Sequence, residues 1–304
     1  MRLTTLALLV ALLAACGGSA GGTTTPSTQA VATSTGSEVP SFEERATLFA
    51  YDDSAPLQVT VKKEQSREGE DVDDVVFSAG DRKVSAFLIR PKGKPKAAVL
   101  WAHWYASEPN SNRTEFVPDA VALAKDGVIS LLPQGLFPWK EQVTGEPDPD
   151  RQLANEQEVQ LRRGLDVLQA EGGDVPVGFV GHDYGAMFGS LLVADKRPKT
   201  YVLMAPDATF ANWFIKYFVR SASLSEYEKA FAPLDPVNNV ADTAPASVFF
   251  QFAKSDKYVP GYVADKLFAA ASDPKREKGY DGGHELDDVA RADRLAWLRE
   301  QLGV

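Results

Sequence analysis

The sequence predicts an α/β fold in which a mostly parallel central sheet is covered by helices on both faces, and three observations carry that prediction. Residues 97–102 form an unbroken apolar run, the pattern of a strand buried on both sides. Beyond it, strand-like apolar runs alternate with segments of helical length, which implies right-handed crossovers between parallel strands. Residues 176–185 read as a buried strand that breaks into a five-residue turn with Gly181 and Gly185 at its ends. Only residues without a Cβ let a strand fold so sharply into a helix, so the middle side chain, Asp183, is lifted above the sheet.

The elements follow in order. Residues 58–61, 72–78 and 84–89 alternate in polarity, with a turn at Gly80 and Asp81, and predict antiparallel edge strands. A Pro- and Gly-rich break at 91–95 precedes the buried run at 97–102. A helix through Phe116, Ala120, Leu123 and Ala124 follows, then a strand at 128–132 and a helix with Leu161, Leu165 and Leu168 on one face. After the Asp183 turn come a helix through Met187, Leu191 and Leu192, strands at 201–204 and 247–252, and a helix over 263–270. A short strand before Tyr280 and a helix bearing Val289, Ala292 and Ala296 complete the chain. Residues 207–245 are rich in aromatics, among them Phe210, Trp213, Phe214, Tyr217, Phe218, Tyr227 and Phe231. That connection is longer than a sheet needs, so a rim insertion or small lid is expected, its aromatics serving the core more than a pocket.

The ends and the charge bound the rest. Residues 3–15 are an apolar run after Met1 and Arg2, too short for a bilayer core of about 30 Å and shaped like an export signal. It closes on Leu13, Ala14, Ala15 and Cys16, which resembles a bacterial lipobox. That resemblance implies a signal peptide at 1–15, a lipid on Cys16 and attachment to the bacterial cell envelope. Cys16 is the only cysteine of the 304 residues, so no internal disulfide can form. Residues 16–41 are mostly Gly, Ser, Thr, Ala and Pro and predict a flexible tether, leaving 42–304 as the folded domain. A net charge of −10 argues against a nucleic-acid partner, which needs clustered Lys and Arg.

Three features carry chemistry. Asp183 stands at the tip of the turn, Asp256 follows a late strand in Lys254-Ser255-Asp256-Lys257, and His284 follows Gly282 and Gly283 before the last helix. That is the nucleophile, acid, base chain order of one hydrolase architecture. Over residues 72–302 the chain resembles the α/β-hydrolase fold, and the phrasing of residues 250–260 resembles the dienelactone-hydrolase-related group. That group carries Cys or Ser at the turn, and this chain does not. Gly181-His182-Asp183-Tyr184-Gly185 is instead similar to the turn of haloalkane dehalogenases and epoxide hydrolases. The resemblance implies hydrolysis of a small, largely apolar molecule by an Asp183–His284–Asp256 triad, with epoxide or halide opening and lactone or ester cleavage both open.

An acidic nucleophile points to epoxide or halide opening, while the closer whole-domain resemblance points to lactone or ester hydrolysis. A carboxylate needs no base to attack an sp³ carbon, and the resulting ester can be hydrolysed by a water that His284 activates, with Asp256 fixing the imidazole. Attack on an ordinary ester would give a high-energy mixed anhydride, although Asp183 could instead position a water for His284. Donors for developing charge are expected from the amides of Tyr184 and Tyr105, with Trp104 beside them where relatives carry glycine. Asp207 is the alternative orienting acid, and His103 and His182 are expected to be structural. Tyr217 or Tyr227 are candidate proton donors, and Trp104 or Trp213 candidate halide binders. Three scattered histidines lack ligand spacing and no phosphate loop is present, so no metal and no cofactor is expected. The competing reading is a catalytically silent ligand-binding lipoprotein of the same fold.

Overall fold

Among the residues described by the computed structural model (39–105, 112–136, 144–217 and 223–304), ten strands form one sheet. They are β1 (Thr60–Lys63), β2 (Ser66–Arg67), β3 (Glu70–Ala79), β4 (Arg82–Arg90), β5 (Ala97–Ala102), β6 (Val128–Pro133), β7 (Val177–His182), β8 (Pro198–Met204), β9 (Ser247–Ala253) and β10 (Lys275–Tyr280). Their order is β1-β3-β4-β6-β5-β7-β8-β9-β10, with β2 hairpinned onto β3. The pairings from β6 to β10 are parallel, while β1, β3 and β4 form the antiparallel margin, as the alternating runs predict. Residues 1–38, including the signal and Cys16, lie outside the described residues, as do 106–111, 137–143 and 218–222.

The pleat divides the apolar strands between two cores. In β5, Ala98, Leu100 and Ala102 join one cluster, while Ala97, Val99 and Trp101 join the other. Each fully buried Val, Leu or Phe contributes roughly 1.5–3 kcal/mol, so a strand buried on both faces is stabilised from both sides. With α1 at Phe42–Thr47 and α2 at Val117–Ala124, the first cluster is roofed by α3 (Pro147–Gly172) through Leu161, Leu165 and Leu168, and by α4 (Tyr184–Gly189). The second is covered by Val117 and Val121 of a helix spanning Val117–Ala124 and by Leu295, Leu298 and Leu302 of the last, Asp288–Leu302.

Among the described residues of 207–245, helices span Phe210–Tyr217 and Leu224–Phe231, followed by short turns. Its aromatics point inward, as expected: Phe210, Phe214, Tyr227 and Phe231 are fully buried, and the Phe214 and Phe231 rings lie 4.9 Å apart. Phe218 and the Tyr217 side chain fall outside the described residues. Tyr227 donates its hydroxyl to Asp150 Oδ2 at 2.6 Å within that core, which corrects its expectation as a proton donor at the site.

Asp235 ties this insertion down. Its Oδ1 accepts the Phe210 amide at 2.8 Å, satisfying the first N–H of the helix that carries Trp213. Burial, augmented by the nearby Asp207 charge, pushes its carboxyl up to about 8 despite that hydrogen bond. In the unfolded chain the same group ionises near 4. The folded protein therefore loses stability relative to the unfolded chain as pH rises from about 4 to 8. Asp235→Asn keeps the acceptor for Phe210 and has no charge to suppress. Its melting temperature is expected to gain steadily on wild type across that window and to hold the gain above it, as scanning calorimetry at pH 5, 7 and 9 would show; a constant difference would refute the assignment.

Candidate active site

β7 ends at His182 and α4 begins at Tyr184, so Asp183 alone makes the turn, at φ 50° and ψ −117°. A non-glycine residue there costs on the order of 1–3 kcal/mol and persists only where the surroundings enforce it. Here they do. A Cβ on Gly181 would lie 2.5 Å from the Gly185 carbonyl oxygen, and one on Gly185 would lie 2.1 Å from the Ala102 oxygen. The glycines let the helix descend onto strand β5, and Asp183 is left on top.

The three residues expected to act together are assembled. His284 Nδ1 lies 2.9 Å from Asp256 Oδ2, and its Nε2 faces Asp183 Oδ1 at 3.8 Å. A carboxylate can only accept, so His284 donates through Nδ1 to Asp256, which leaves Nε2 as the ring nitrogen turned toward Asp183. Atoms at that separation can share one water about 2.8 Å from each, about 2 Å off the line between them. Asp256 Oδ1 also accepts the amides of Tyr258 and Val259 at 2.7 and 3.0 Å. Burial alone would raise the Asp256 carboxyl, but the His284 hydrogen bond and those amides outweigh it and hold the group below the usual carboxylate range. Asp207, the alternative orienting acid, is buried after β8 and accepts the Thr209 amide instead.

Asp183 is 7% exposed. Burial pushes its carboxyl up, and His284, His182, the Tyr184 amide and the Trp213 indole oppose that shift. Oδ2 accepts the Tyr105 amide at 3.3 Å, and Oδ1 accepts Trp213 Nε1 at 3.1 Å. The two expected backbone donors thus converge on this carboxylate. Trp213 reaches it from the insertion, its ring stacked on Tyr184 with centroids 4.8 Å apart.

Trp104 lies next to the Tyr105 amide. Its amide points away from Asp183 and donates to Glu115 Oε2 at 2.8 Å, while its ring stacks on His182 at 5.3 Å and on His284 at 6.2 Å. It walls the imidazole and presents no amide to the reaction zone. Tyr258 meets His284 edge-on from another side at 5.0 Å. His103 holds the loop as expected, with Nδ1 at 2.7 Å from the Trp104 carbonyl and Nε2 accepting the Gly135 amide at 2.8 Å. Glu115 was not foreseen: its Oε1 lies 2.6 Å from His182 Nδ1, a contact across 67 positions with no motif to announce it. Among the described residues, no group of three or more His, Cys, Asp or Glu side chains is placed to hold a metal ion.

No family model and no curated protein matches the sequence. Solved structures do. An acetyl xylan esterase from a Paenibacillus species is similar at a TM-score of 0.67 and 16% identity, covering 86% of this chain and 93% of that one. Acetyl xylan esterase 1 from a Thermoanaerobacterium species is similar at 0.62 and 15% identity, covering 84% and 91%. A cold-adapted esterase from an Arctic intertidal metagenomic library is similar at 0.59 and 18% identity, covering 80% and 99%. At these identities the likeness is one of fold, and the fold is the α/β-hydrolase fold.

Proposed function

We propose that the protein is a hydrolase of small, largely apolar carbon electrophiles, epoxides or alkyl halides, acting through a covalent ester on Asp183. The observation that carries this reading is a carboxylate at the elbow tip with one oxygen held by a backbone amide and the other facing His284 Nε2 at 3.8 Å. Oδ1, which the Trp213 indole N–H holds in place, attacks the sp³ carbon; the C–O or C–halogen bond breaks and its electron pair leaves with the departing atom, as alkoxide or halide. His284 then removes a proton from water as its oxygen bonds to Cγ of the ester. The oxyanion that forms is Oδ2, already directed at the Tyr105 amide. Collapse breaks the Cγ–Oδ1 bond: Oδ1 leaves in the alcohol with the proton that His284 returns, and the water's oxygen stays as the new carboxylate oxygen. Its remaining proton departs to solvent or to the alkoxide of an opened epoxide; Asp256 stabilises the transient imidazolium.

The acetyl-ester chemistry in the neighbours' names fits this chain less well, because a carboxylate attacking an ester yields an anhydride that reverts more readily than it hydrolyses. A second reading, ligand binding without turnover, draws support from the donors already on both Asp183 oxygens. On sequence grounds we also assign the chain to the bacterial envelope, anchored through Cys16.

His284→Gln separates these readings, since it blocks the second step and leaves the first. After exposure to styrene oxide, 1-bromobutane and a lactone, intact-mass spectrometry should show an adduct from the epoxide or the bromide. Fragmentation should place it on Asp183. An adduct from the lactone alone would move the assignment to acyl chemistry, and no adduct from any compound would leave the silent reading.

A further inference from the structure

We propose that His182 is a buried imidazolium locked by Glu115, and that this pair is a positioning device joining the Tyr105 amide loop to the His284 loop. With Glu115 ionised, the geometry sets the protonation state. His182 is 1% exposed; its Nδ1 lies 2.6 Å from Glu115 Oε1 and its Nε2 lies 2.9 Å from the His284 carbonyl oxygen. A carboxylate and a carbonyl are both acceptors, so each ring nitrogen must carry a proton for both contacts to be hydrogen bonds. His103 supplies the contrast within the same molecule: it faces one acceptor, the Trp104 carbonyl, and one donor, the Gly135 amide, and is therefore neutral.

The titratable groups facing His182 are Glu115, Asp183 and the His284 ring, whose centroid lies 5.1 Å away. Burial works against a charge there, and the two carboxylates outweigh it, so the His182 ring is held above its ordinary range. The connections run outward from Glu115. One oxygen fixes His182, which fixes the backbone of His284; the other accepts the Trp104 amide and so sets the position of the next amide, Tyr105, against Asp183. The positive ring also sits one residue from Asp183 and favours its ionised form. The pair thus holds the two loops in register and keeps the nucleophile charged in a dry setting. Its catalytic meaning rests on the covalent reading above, but the protonation state does not.

The test needs no substrate, so it stands or falls separately from the reaction. With three histidines in the chain, nitrogen-15 correlation spectra of the full protein resolve each ring. At pH 7.5, His182 is expected to show two protonated nitrogens and His103 one. Glu115→Gln keeps an oxygen for the Trp104 amide and removes the charge. In that variant His182 should lose one ring proton at pH 7.5, and the Asp183 carboxyl, followed by carbon-13 shifts, should titrate about one unit or more higher in pH. A structural role alone would lower the melting temperature and leave the Asp183 titration in place. A neutral His182 in the wild type overturns the assignment outright, and an unmoved Asp183 titration in Glu115→Gln overturns its electrostatic part. Glu115→Asp, which retains the charge, separates loss of charge from loss of fold: it should return His182 to the doubly protonated form.

Discussion

Asp183→Asn protein is expected to fold, to melt within about 2 kcal/mol of wild type, and to turn over substrate at least about ten-thousand-fold more slowly. The size of the kinetic loss follows from the role. An amide nitrogen or carbonyl oxygen does not displace a leaving group at carbon, so no ester forms and His284 has nothing to hydrolyse. The small change in stability follows from two opposed effects. Asparagine is among the few residues that tolerate positive φ, so the 50° turn survives. Removing a charge that burial disfavours is stabilising, and the gain grows as pH rises through the range where the unfolded carboxyl ionises and the buried one resists. Against it, Tyr105 N–H and Trp213 Nε1 both need acceptors, and an amide offers a single oxygen. An unmet donor costs about 1–3 kcal/mol. Steady-state kinetics on whichever substrate labels His284→Gln, paired with calorimetry, makes the check. Retained turnover in a folded Asp183→Asn protein would dismiss the covalent carboxylate.

How much of this site the sequence revealed depended on how local each signal was. The run at 97–102 and the glycines of the elbow are local facts: an apolar hexamer is buried on both faces, and a turn without Cβ atoms packs against the strand beneath it. Asp256 and His284 were found because chain order in this architecture places the acid and the base after particular strands. Glu115 was a different matter. Glu115 acts only because the fold brings it to His182, and one glutamate among 42 acidic residues has no pattern to mark it. Trp213, expected either in the core or as a candidate halide binder, is 2% exposed and stacked on Tyr184, and its single polar atom emerges at the carboxylate. The helix Pro147–Gly172 was seen only through its apolar face near 161–168, because its first turn alternates prolines and acids without periodicity. Sequence periodicity reports the core; contacts made across the fold by lone polar atoms leave no trace in it.

Gly185→Ala should be the most destructive small substitution in the molecule, lowering the melting temperature by about 10 °C or more if folded protein is obtained. The added methyl would lie 2.1 Å from the Ala102 carbonyl oxygen and 2.7 Å from that of His103, and both neighbours are backbone. A flexible side chain could swing aside, but these atoms cannot. Ala102 is paired with Gly181 across β5 and β7, and the loop beyond it is pinned by His103 on Gly135 and by the Trp104 amide on Glu115. Relieving the overlap means separating α4 from the sheet, and overpacking against fixed backbone costs about 3 kcal/mol or more, which for a domain of this size is roughly the shift stated. The same displacement would carry the Tyr184 amide away from Asp183, so surviving folded protein should also lose turnover beyond its loss of stability. Gly261→Ala serves as the control. Nothing lies within 4 Å of its Cβ position and it opens the helix Gly261–Ala270, so alanine there should leave the melting temperature unchanged or raise it by removing freedom from the unfolded chain. If Gly185→Ala melted like Gly261→Ala, the helix would not be seated on β5, and the elbow that presents Asp183 would be wrongly drawn.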